Sequence, residues 1–463
     1  MLFRWPSRLP TEDWGQQGMY CGGARGFGLL LARGRGRVVV LLVVAAMCVC
    51  AASAAGSSGR HSPLIAAAGR STPAQPRTGA ASPGVAGIAS VPKFSGLAAS
   101  FLTRPSAVRG TDGRFHIAYE LVLTNTLQFA LDVQRVDVRD ARTHRVLLSL
   151  DGGALSSRMN SIAGAAGGPT PAAPTVLSPS GQAIVWLDVR VGRKADLPRA
   201  LEHLVVSSSL PSSGEPSFQL SSLVGRVSLR TQAPVVLGPP VRGGPWVSDE
   251  GCCDLDTHHR RGLLTIDGDM VVPQRFAIDW IKLDRHHRGW VGNPHRLSSY
   301  FSYGQPEIAA AAGTVVFARD GIANSPPPHD PKPPPLAKLP GNTVTLRVRP
   351  GIYLLYAHMK PGSVRVHVGE HVRRGQLLGA LGNSGNSATP HLHLQVQTTP
   401  SFVGDGLPFV FDRFKLLGQI TEHFSDANLG LRPTGQLRFA PAHPAGIRRF
   451  EMPLDRNVVR FDG

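Results

Sequence analysis

A chain of 463 residues is long enough for two or three domains, each with its own hydrophobic core. Lysine and arginine outnumber aspartate and glutamate so far that the net charge is +18, although only 17% of the residues are charged. Such a charge favours anionic polymers as partners, namely nucleic acid, anionic lipid or cell-wall polymers. The sequence has no zinc-finger spacing and no basic–aromatic RNA-binding pattern, so nucleic acid is not expected as a partner.

The N-terminal segment indicates export. Three arginines precede an uncharged run, Val38 to Ala55, which ends in small residues. This pattern predicts that residues 1–55 are a secretory signal peptide or an uncleaved N-terminal membrane anchor. We therefore expect the protein in the periplasm, the cell envelope or the extracellular space. Residues 56–93 are rich in Ala, Gly, Ser and Pro, which predicts a flexible linker.

Short alternating runs such as RFHIAYELVLTN and QAIVWLDVRV begin near residue 94. Several such strands separated by turn residues predict a β-sandwich over residues 94–234, with a binding or spacing role. Strand patterns dominate again over residues 246–414, where we expect a second, antiparallel β-sheet domain with a groove. Residues 415–463 form a C-terminal extension with no recognisable chemistry. The predicted fold class is mainly β.

Beyond the leader, the sequence retains only two cysteines, the adjacent Cys252 and Cys253. Adjacent cysteines cannot close a loop and lack the Cys-x-x-Cys spacing of metal sites. A vicinal disulfide and two free thiols both remain open, and neither makes the fold depend on disulfides.

Candidate metal-binding residues cluster in the second half of the chain. Asp279 lies in the apolar run PQRFAIDWIKLD, where an ionised carboxylate needs a cation or hydrogen bonds to offset its desolvation. His391 and His393 in PHLHLQ lie two residues apart, which in a strand places them on one face, roughly 6.5–7 Å apart. The alternative for Asp279 is a buried ion pair with a nearby arginine.

The motifs YAHM, V-x-x-G-x-x-V-x-x-G-Q, GNSG and PHLHLQ resemble the signature of lysostaphin/LytM-type zinc metallopeptidases. Members of that family hydrolyse peptide bonds in bacterial peptidoglycan. The resemblance implies a Zn²⁺ cofactor with Asp279 and His393 among its ligands. It also implies that His358 and His391 handle the proton of the attacking water and steady the transition state.

One ligand of the family pattern is missing. The family's H-x-x-x-D motif has its histidine four residues before the aspartate, where this chain has Arg275. Arginine stays protonated and offers no lone pair to a metal. Ala277 also stands where the family usually has glycine. A predicted hairpin that turns at an Asp-Gly pair would bring His258 or His259 beside Asp279 as the replacement ligand.

The sequence therefore predicts an exported zinc metalloendopeptidase that cleaves peptidoglycan cross-links through a zinc-activated water. Its expected partner is peptidoglycan or another anionic envelope polymer. The alternative is a degenerate, non-catalytic LytM-like domain that binds peptidoglycan or activates another cell-wall hydrolase.

Overall fold

The predicted leader and linker, residues 1–93, lie outside the part of the chain that the structure describes. All described residues belong to one compact unit. Among the described helices, none is both long enough and apolar enough to cross a membrane. The structure, a computed structural model, describes residues 94–162, 174–211, 215–253, 255, 257–328 and 334–462.

The N-terminal part of the described chain contains ten strands and one short helix. They are β1 (Leu97–Phe101), β2 (Ala107–Arg109), β3 (Phe115–Asn125), β4 (Ala130–Asp140), β5 (Val146–Asp151), α1 (Gly152–Ser156), β6 (Met159–Ser161), β7 (Val176–Leu177), β8 (Gln182–Val191), β9 (Ala200–Leu210) and β10 (Gln219–Ser228).

These strands form two antiparallel sheets of five strands each. The first has the order β1-β3-β8-β6, with β2 paired to β3, and the second has the order β10-β9-β4-β5, with β7 paired to β4. Alternate side chains of both sheets, such as Leu121, Val136 and Leu187, pack into one shared hydrophobic cluster. Burial of that cluster stabilises the pair of sheets.

Strands β3 and β8 are buried on both faces. Their odd-numbered residues face the shared cluster of the N-terminal sheets. On the opposite face, Ile184 and Trp186 of β8 pack with Leu263 and Val272 from the second half of the chain. The first sheet is therefore docked against the region that carries the candidate metal-binding residues.

The rest of the described chain is also built mainly from strands. They are β11 (Val235–Leu237), β12 (Gly243–Asp249), β13 (Leu264–Ile266), β14 (Asp269–Val271), β15 (Ile278–Lys282), β16 (Pro306–Ile308), β17 (Gly313–Arg319), β18 (Asn342–Arg349), β19 (Ile352–Met359), β20 (His371–Val372), β21 (Leu377–Ala380), β22 (Leu392–Gln397), β23 (Gly406–Leu407), β24 (Phe409–Phe411), β25 (Phe414–Ile420), β26 (Phe439–Arg448) and β27 (Asn457–Phe461). Two short helices accompany them, α2 (His258–Arg261) and α3 (Asp426–Leu429).

One antiparallel sheet of eleven strands dominates this half. Its order is β20-β17-β18-β19-β22-β15-β12-β27-β25-β26, with β23 paired to β22. The four central neighbours β19, β22, β15 and β12 carry or adjoin the predicted site residues. Strand β27, at the end of the described chain, pairs with β12 and so supports the centre of the sheet from a distant part of the sequence.

The predicted mainly β class is confirmed, with antiparallel sheets throughout the larger assemblies. The domain boundaries drawn from the sequence stay predictions. The two cysteines, Cys252 and Cys253, form a vicinal disulfide in the loop between β12 and α2. That loop leads from the end of β12 to the short helix that holds His258 and His259.

Candidate metal centre

Direct strand pairing in the large sheet aligns three residues of the candidate site, Asp249, Asp279 and His393. Asp249 of β12 is the direct partner of Asp279 on β15. Asp279 is in turn the partner of His393 on β22, and His393 is the partner of Ala357 on β19. Directly paired residues in neighbouring strands point to the same face. The two carboxylates and the imidazole therefore share one face of the sheet.

The two other predicted histidines reach the same face in different ways. His391 lies two residues before His393, so the strand period carries both rings to one side. Alternation after Ala357 would turn His358 away, but His358 has a left-handed backbone (φ 64°), which breaks the alternation. The ring centroid of His358 lies 4.8 Å from that of His391 and 5.9 Å from that of His393.

The fourth histidine comes from the short helix α2. His259 is 1% exposed, and its Nε2 lies 3.4 Å from Oδ2 of Asp279. His258 has a largely exposed side chain, whose Nδ1 lies 3.1 Å from a carboxylate oxygen of Glu250. One ligand atom from each of His258, His259 and Asp279 lies within 4.8 Å of the others.

The path by which His259 arrives differs from the predicted one. The predicted Asp-Gly hairpin forms, but its strands β13 and β14 are only three residues long. Strand β13 begins at Leu264, so the hairpin does not extend back to His259. His258 to Arg261 are helical rather than extended, with Thr257 as the N-cap residue that accepts a hydrogen bond from the Arg260 N–H. The residue expected beside Asp279 is there, carried by a helix instead of a strand.

Backbone carbonyls fix the proton positions of two of these rings. Nδ1 of His259 lies 3.1 Å from the carbonyl oxygen of Glu250 and 3.3 Å from that of Ala277. Nδ1 of His358 lies 2.8 Å from the carbonyl oxygen of Ser384. A carbonyl only accepts, so Nδ1 is the protonated nitrogen in both rings. In the neutral state Nε2 then carries a lone pair.

The histidines of PHLHLQ are oriented in the same manner. Nδ1 of His391 donates to the carbonyl oxygen of Thr389, at 2.8 Å. The side-chain amide of Gln395 donates to the carbonyl oxygen of Phe402, at 3.0 Å, which leaves its own oxygen to accept from Nε2 of His393, at 2.8 Å. The free lone pair of a neutral His393 is therefore on Nδ1.

These lone pairs converge on the Asp279 carboxylate. Nδ1 of His393 lies 2.8 Å from Oδ1 of Asp279, and Nε2 of His391 lies 3.5 Å from the same oxygen. Nε2 of His259 is fully buried and has no hydrogen-bond partner among the described residues. When the rings are neutral, their lone pairs face the carboxylate with no proton between them, an arrangement that a bound cation would satisfy. Nε2 of His259, a carboxylate oxygen of Asp279 and Nδ1 of His393 fit the ligand set of a catalytic zinc ion.

The electrostatics of the cluster favour an ionised carboxylate at Asp279 and neutral rings at His259 and His358. Burial alone would raise the pKa of Asp279, but His391, His259 and His393 hold that pKa well below its usual range. Burial lowers the pKa of His259 to about 3 and also lowers the pKa of His358. The metal-facing nitrogens of His259 and His358 are thus unprotonated at neutral pH.

Arg275 takes no part in this cluster. Its buried guanidinium points to the N-terminal sheet, where Nη2 lies 2.6 Å from Oε2 of Glu120. Its Nη1 lies 2.6 Å from a carboxylate oxygen of Asp405. The alternative considered for Asp279, an ion pair with a nearby arginine, is therefore wrong for this arginine, and Asp279 is paired with histidines instead.

Three acidic residues near the centre were not predicted as site residues from the sequence. Asp249 is fully buried, and its Oδ1 has no hydrogen-bond partner among the described residues. Glu250 accepts from the His258 backbone N–H, at 2.7 Å. Asp426 begins α3 in the predicted C-terminal extension and places Oδ2 3.6 Å from Nδ1 of His391. No local sequence signal marks them as neighbours of the centre.

The centre is almost closed to solvent. His391 and Asp279 are each 2% exposed, and His393 is 4% exposed. The start of α3 lies against the loop before β22: the Asp426 carbonyl accepts from the Thr389 hydroxyl at 2.9 Å.

Residues 297–404 match the model of "Peptidase family M23". The matched segment contains His358, His391 and His393. It starts after Asp279 and after the short helix with His259, so the family model covers one side of the centre. No curated protein matches this sequence.

Several solved structures resemble this chain. A mutant catalytic domain of the prophage-encoded M23 protein EnpA from Enterococcus faecalis is 19% identical, covers 38% of this chain and 93% of its own, with a TM-score of 0.22. The catalytic domain of lysostaphin from Staphylococcus simulans is 24% identical over 31% of this chain and 80% of its own, with a TM-score of 0.19. A zinc-containing peptidase from Vibrio cholerae is 11% identical over 66% of this chain and 83% of its own, with a TM-score of 0.21. The match to the family model places a domain of peptidase family M23 at residues 297–404 of this chain.

Proposed function

We propose that this protein is an exported zinc metalloendopeptidase that hydrolyses peptide bonds in peptidoglycan cross-links. The observation that carries the proposal is the convergence of oriented histidine lone pairs on the buried Asp279. A binding module has no need of four histidines and a carboxylate arranged in this way. The M23 domain supplies independent support for peptidase chemistry.

In the proposal His259, Asp279 and His393 hold the zinc ion. His259 replaces the ligand that the family pattern would place at position 275. A zinc ion with three such ligands keeps an open position for water, lowers the pKa of that water to ~7 and polarises the scissile carbonyl.

The remaining two histidines supply the proton chemistry. Both His358 and His391 donate from Nδ1 to a backbone carbonyl, so each presents Nε2 to the centre. In the proposal one Nε2 accepts the proton of the attacking water and then donates it to the nitrogen of the leaving group, while the other Nε2 accepts a hydrogen bond from that water and orients it. General acid–base assistance of this kind contributes typically ~10²–10⁴-fold to the rate.

The location and partner follow from the sequence. The net charge of +18 suits an anionic envelope polymer, and the apolar run that ends at Ala55 suits export or anchoring. Peptidoglycan meets both requirements, because it lies outside the cytoplasmic membrane and carries free carboxylates on its peptides.

The test is digestion of purified peptidoglycan by the zinc-loaded full chain, with the released muropeptides identified by mass spectrometry. We expect new peptide termini from the unsubstituted chain and a ~10²-fold or larger loss of rate for His391→Ala. His295→Ala is the matched control, since His295 is exposed, and we expect it to leave the rate unchanged. Zinc binding without cleavage of peptidoglycan would reject the endopeptidase.

One observation favours a second candidate. The near-complete burial of the centre, with Asp426 beside His391, suits a non-catalytic relative that binds the cell wall or activates another hydrolase. That candidate predicts peptidoglycan binding that His391→Ala leaves intact and no new peptide termini in the digest. The proposed endopeptidase instead predicts new peptide termini in the digest by the unsubstituted chain.

A further inference from the structure

The arginine that displaces the family histidine and the arginine next to the replacement histidine bind the same carboxylate. Glu120 of β3 is fully buried and forms charge-assisted hydrogen bonds with both Arg275 and Arg260. Arg275 bonds Glu120 through Nε, at 2.9 Å, as well as through Nη2. One side chain of the N-terminal sheet thus anchors two segments of the metal-binding half.

Each anchored segment leads directly to a proposed zinc ligand. Arg260 follows His259 on α2, and Arg275 lies four residues before Asp279 on the way into β15. The Nη2 group of Arg260 also donates to the carbonyl oxygens of Tyr119 and Leu187, at 2.9 and 3.0 Å. Its guanidinium is therefore held by β3 and β8 together.

The short helix has little means to hold itself in place. Four residues are far fewer than the ~12–15 that an isolated helix needs for marginal stability. Its position must come from tertiary contacts, and the buried ion pair is a strong one. The Ala277 carbonyl, which lies 3.3 Å from Nδ1 of His259, belongs to the second anchored segment. The His259 ring therefore belongs to one segment that Glu120 anchors and contacts a carbonyl of the other.

We infer that Glu120 is a positioning residue of the metal centre, which binds Arg260 and Arg275 and thereby holds His259 against Asp279. The inference rests on the proposed zinc site. It assigns the N-terminal sheets a role in metal binding, and it gives Arg275 a structural role in place of the missing ligand.

The experiment measures the zinc affinity of the full chain by competition with a chelator, for Glu120→Gln beside the unsubstituted protein. Outer residues that orient metal ligands typically contribute ~10–100-fold in affinity, and we expect a loss in that range. With Co²⁺ in place of zinc, the visible spectrum should also change, since the ligand geometry is altered. A purely structural Glu120 would leave that spectrum unchanged.

Glu202→Gln is the matched control. Glu202 is also a buried glutamate of the N-terminal sheets, and it pairs with His144 and Arg139, at 2.6 and 3.3 Å, rather than with the metal-binding half. We expect Glu202→Gln to keep the zinc affinity and the Co²⁺ spectrum of the unsubstituted chain. An equal loss of affinity in both variants would overturn the inference, because it would reflect general destabilisation.

A folded Glu120→Gln chain with unchanged zinc affinity would also overturn the inference and leave the proposed function intact. If Glu120→Gln does not fold, Arg260→Lys decides: it keeps the charge but lacks the planar, forked donors with which Arg260 bonds Glu120, Tyr119 and Leu187. We expect it to weaken zinc binding about tenfold or more, and unchanged affinity would overturn the inference. Absence of zinc from the unsubstituted chain would instead reject the proposed function, and the inference with it.

Discussion

At the scale of single residues, the metal centre depends on which ring nitrogen of each histidine carries the proton. Three rings donate from Nδ1 to a backbone carbonyl, and His393 donates from Nε2 to Gln395. These bonds orient the rings before any metal arrives, which lowers the cost of assembling the ligands. The sequence gives the histidines their spacing, but the acceptors that orient them come from Thr389, Ser384 and other residues that no motif identifies as partners.

A second buried acid, away from the centre, makes a prediction about stability. Glu307 of β16 is fully buried, and neither carboxylate oxygen has a hydrogen-bond partner among the described residues. Burial raises the pKa of Glu307 well above its ordinary value of 4.5. The folded chain therefore retains a proton that the unfolded chain loses above that pH, so Glu307 costs increasing stability as the pH rises.

Glu307→Gln should remove this cost. We expect the free energy of unfolding of the variant to exceed that of the unsubstituted chain by a larger margin at about pH 8 than at about pH 5. Denaturant titration at both pH values measures the difference. A margin that does not grow with pH would show that Glu307 is not protonated in the folded chain.

At the scale of elements, the centre is assembled from parts that are far apart in the sequence. Strands β12, β15 and β22 contribute Asp249, Asp279 and His393 through one continuous register. Helices α2 and α3 then bring His259 and Asp426 to the same face. The strand period predicted that His391 and His393 share a face. The predicted hairpin was too long, because the residues around His259 form a helix instead of continuing the strand.

Neighbouring strands of the N-terminal sheet share a buried ion pair with its own pH dependence. His116 of β3 places Nδ1 3.0 Å from Asp188 of β8 and Nε2 3.2 Å from Asp112. Burial alone would lower the pKa of His116, but the two carboxylates raise it to about 9. The stabilisation is complete below the ordinary value of 6.5 and is lost as the pH rises through about 9.

His116→Gln should flatten this part of the stability profile. The shift in pKa corresponds to roughly 3 kcal/mol at about 1.4 kcal/mol per unit. We expect the unsubstituted chain to lose more of its free energy of unfolding than the variant between about pH 6.5 and about pH 9.5, by an amount of that order. Parallel losses in the two chains would mean that His116 is not charged in the fold.

At the scale of the whole molecule, the N-terminal sheets and the metal-binding half of the chain meet through buried charge. Glu120, Arg260 and Arg275 lie between them at 0–1% exposure. Removal of one partner from a buried ion pair typically costs about 3–5 kcal/mol, because the other charge is left unpaired. The two regions are therefore expected to unfold together.

The sequence predicts local features of this molecule better than distant ones. The mainly β class follows from alternation, and the motif glycines follow from turn geometry: Gly369 and Gly375 have φ of 91° and 83°. Glu120, the partner of Arg275, could not be predicted from the sequence. The pattern of an apolar strand does not distinguish a glutamate that is buried from one that faces solvent. The place of Asp426 beside the centre could not be predicted either, because its proximity to His391 arises only from the three-dimensional fold.

The central claim is that this chain completes a zinc site with His259 in place of the ligand lost at Arg275. The most direct measurement is the zinc content and zinc affinity of the full chain at neutral pH, for the unsubstituted protein, His259→Ala and the neighbouring control His258→Ala. We expect one tightly bound zinc ion in the unsubstituted chain, a ~100-fold or larger loss of affinity for His259→Ala and a much smaller loss for His258→Ala. A folded chain that binds no zinc, or a His259→Ala variant that binds it as tightly as the unsubstituted chain, would contradict the claim.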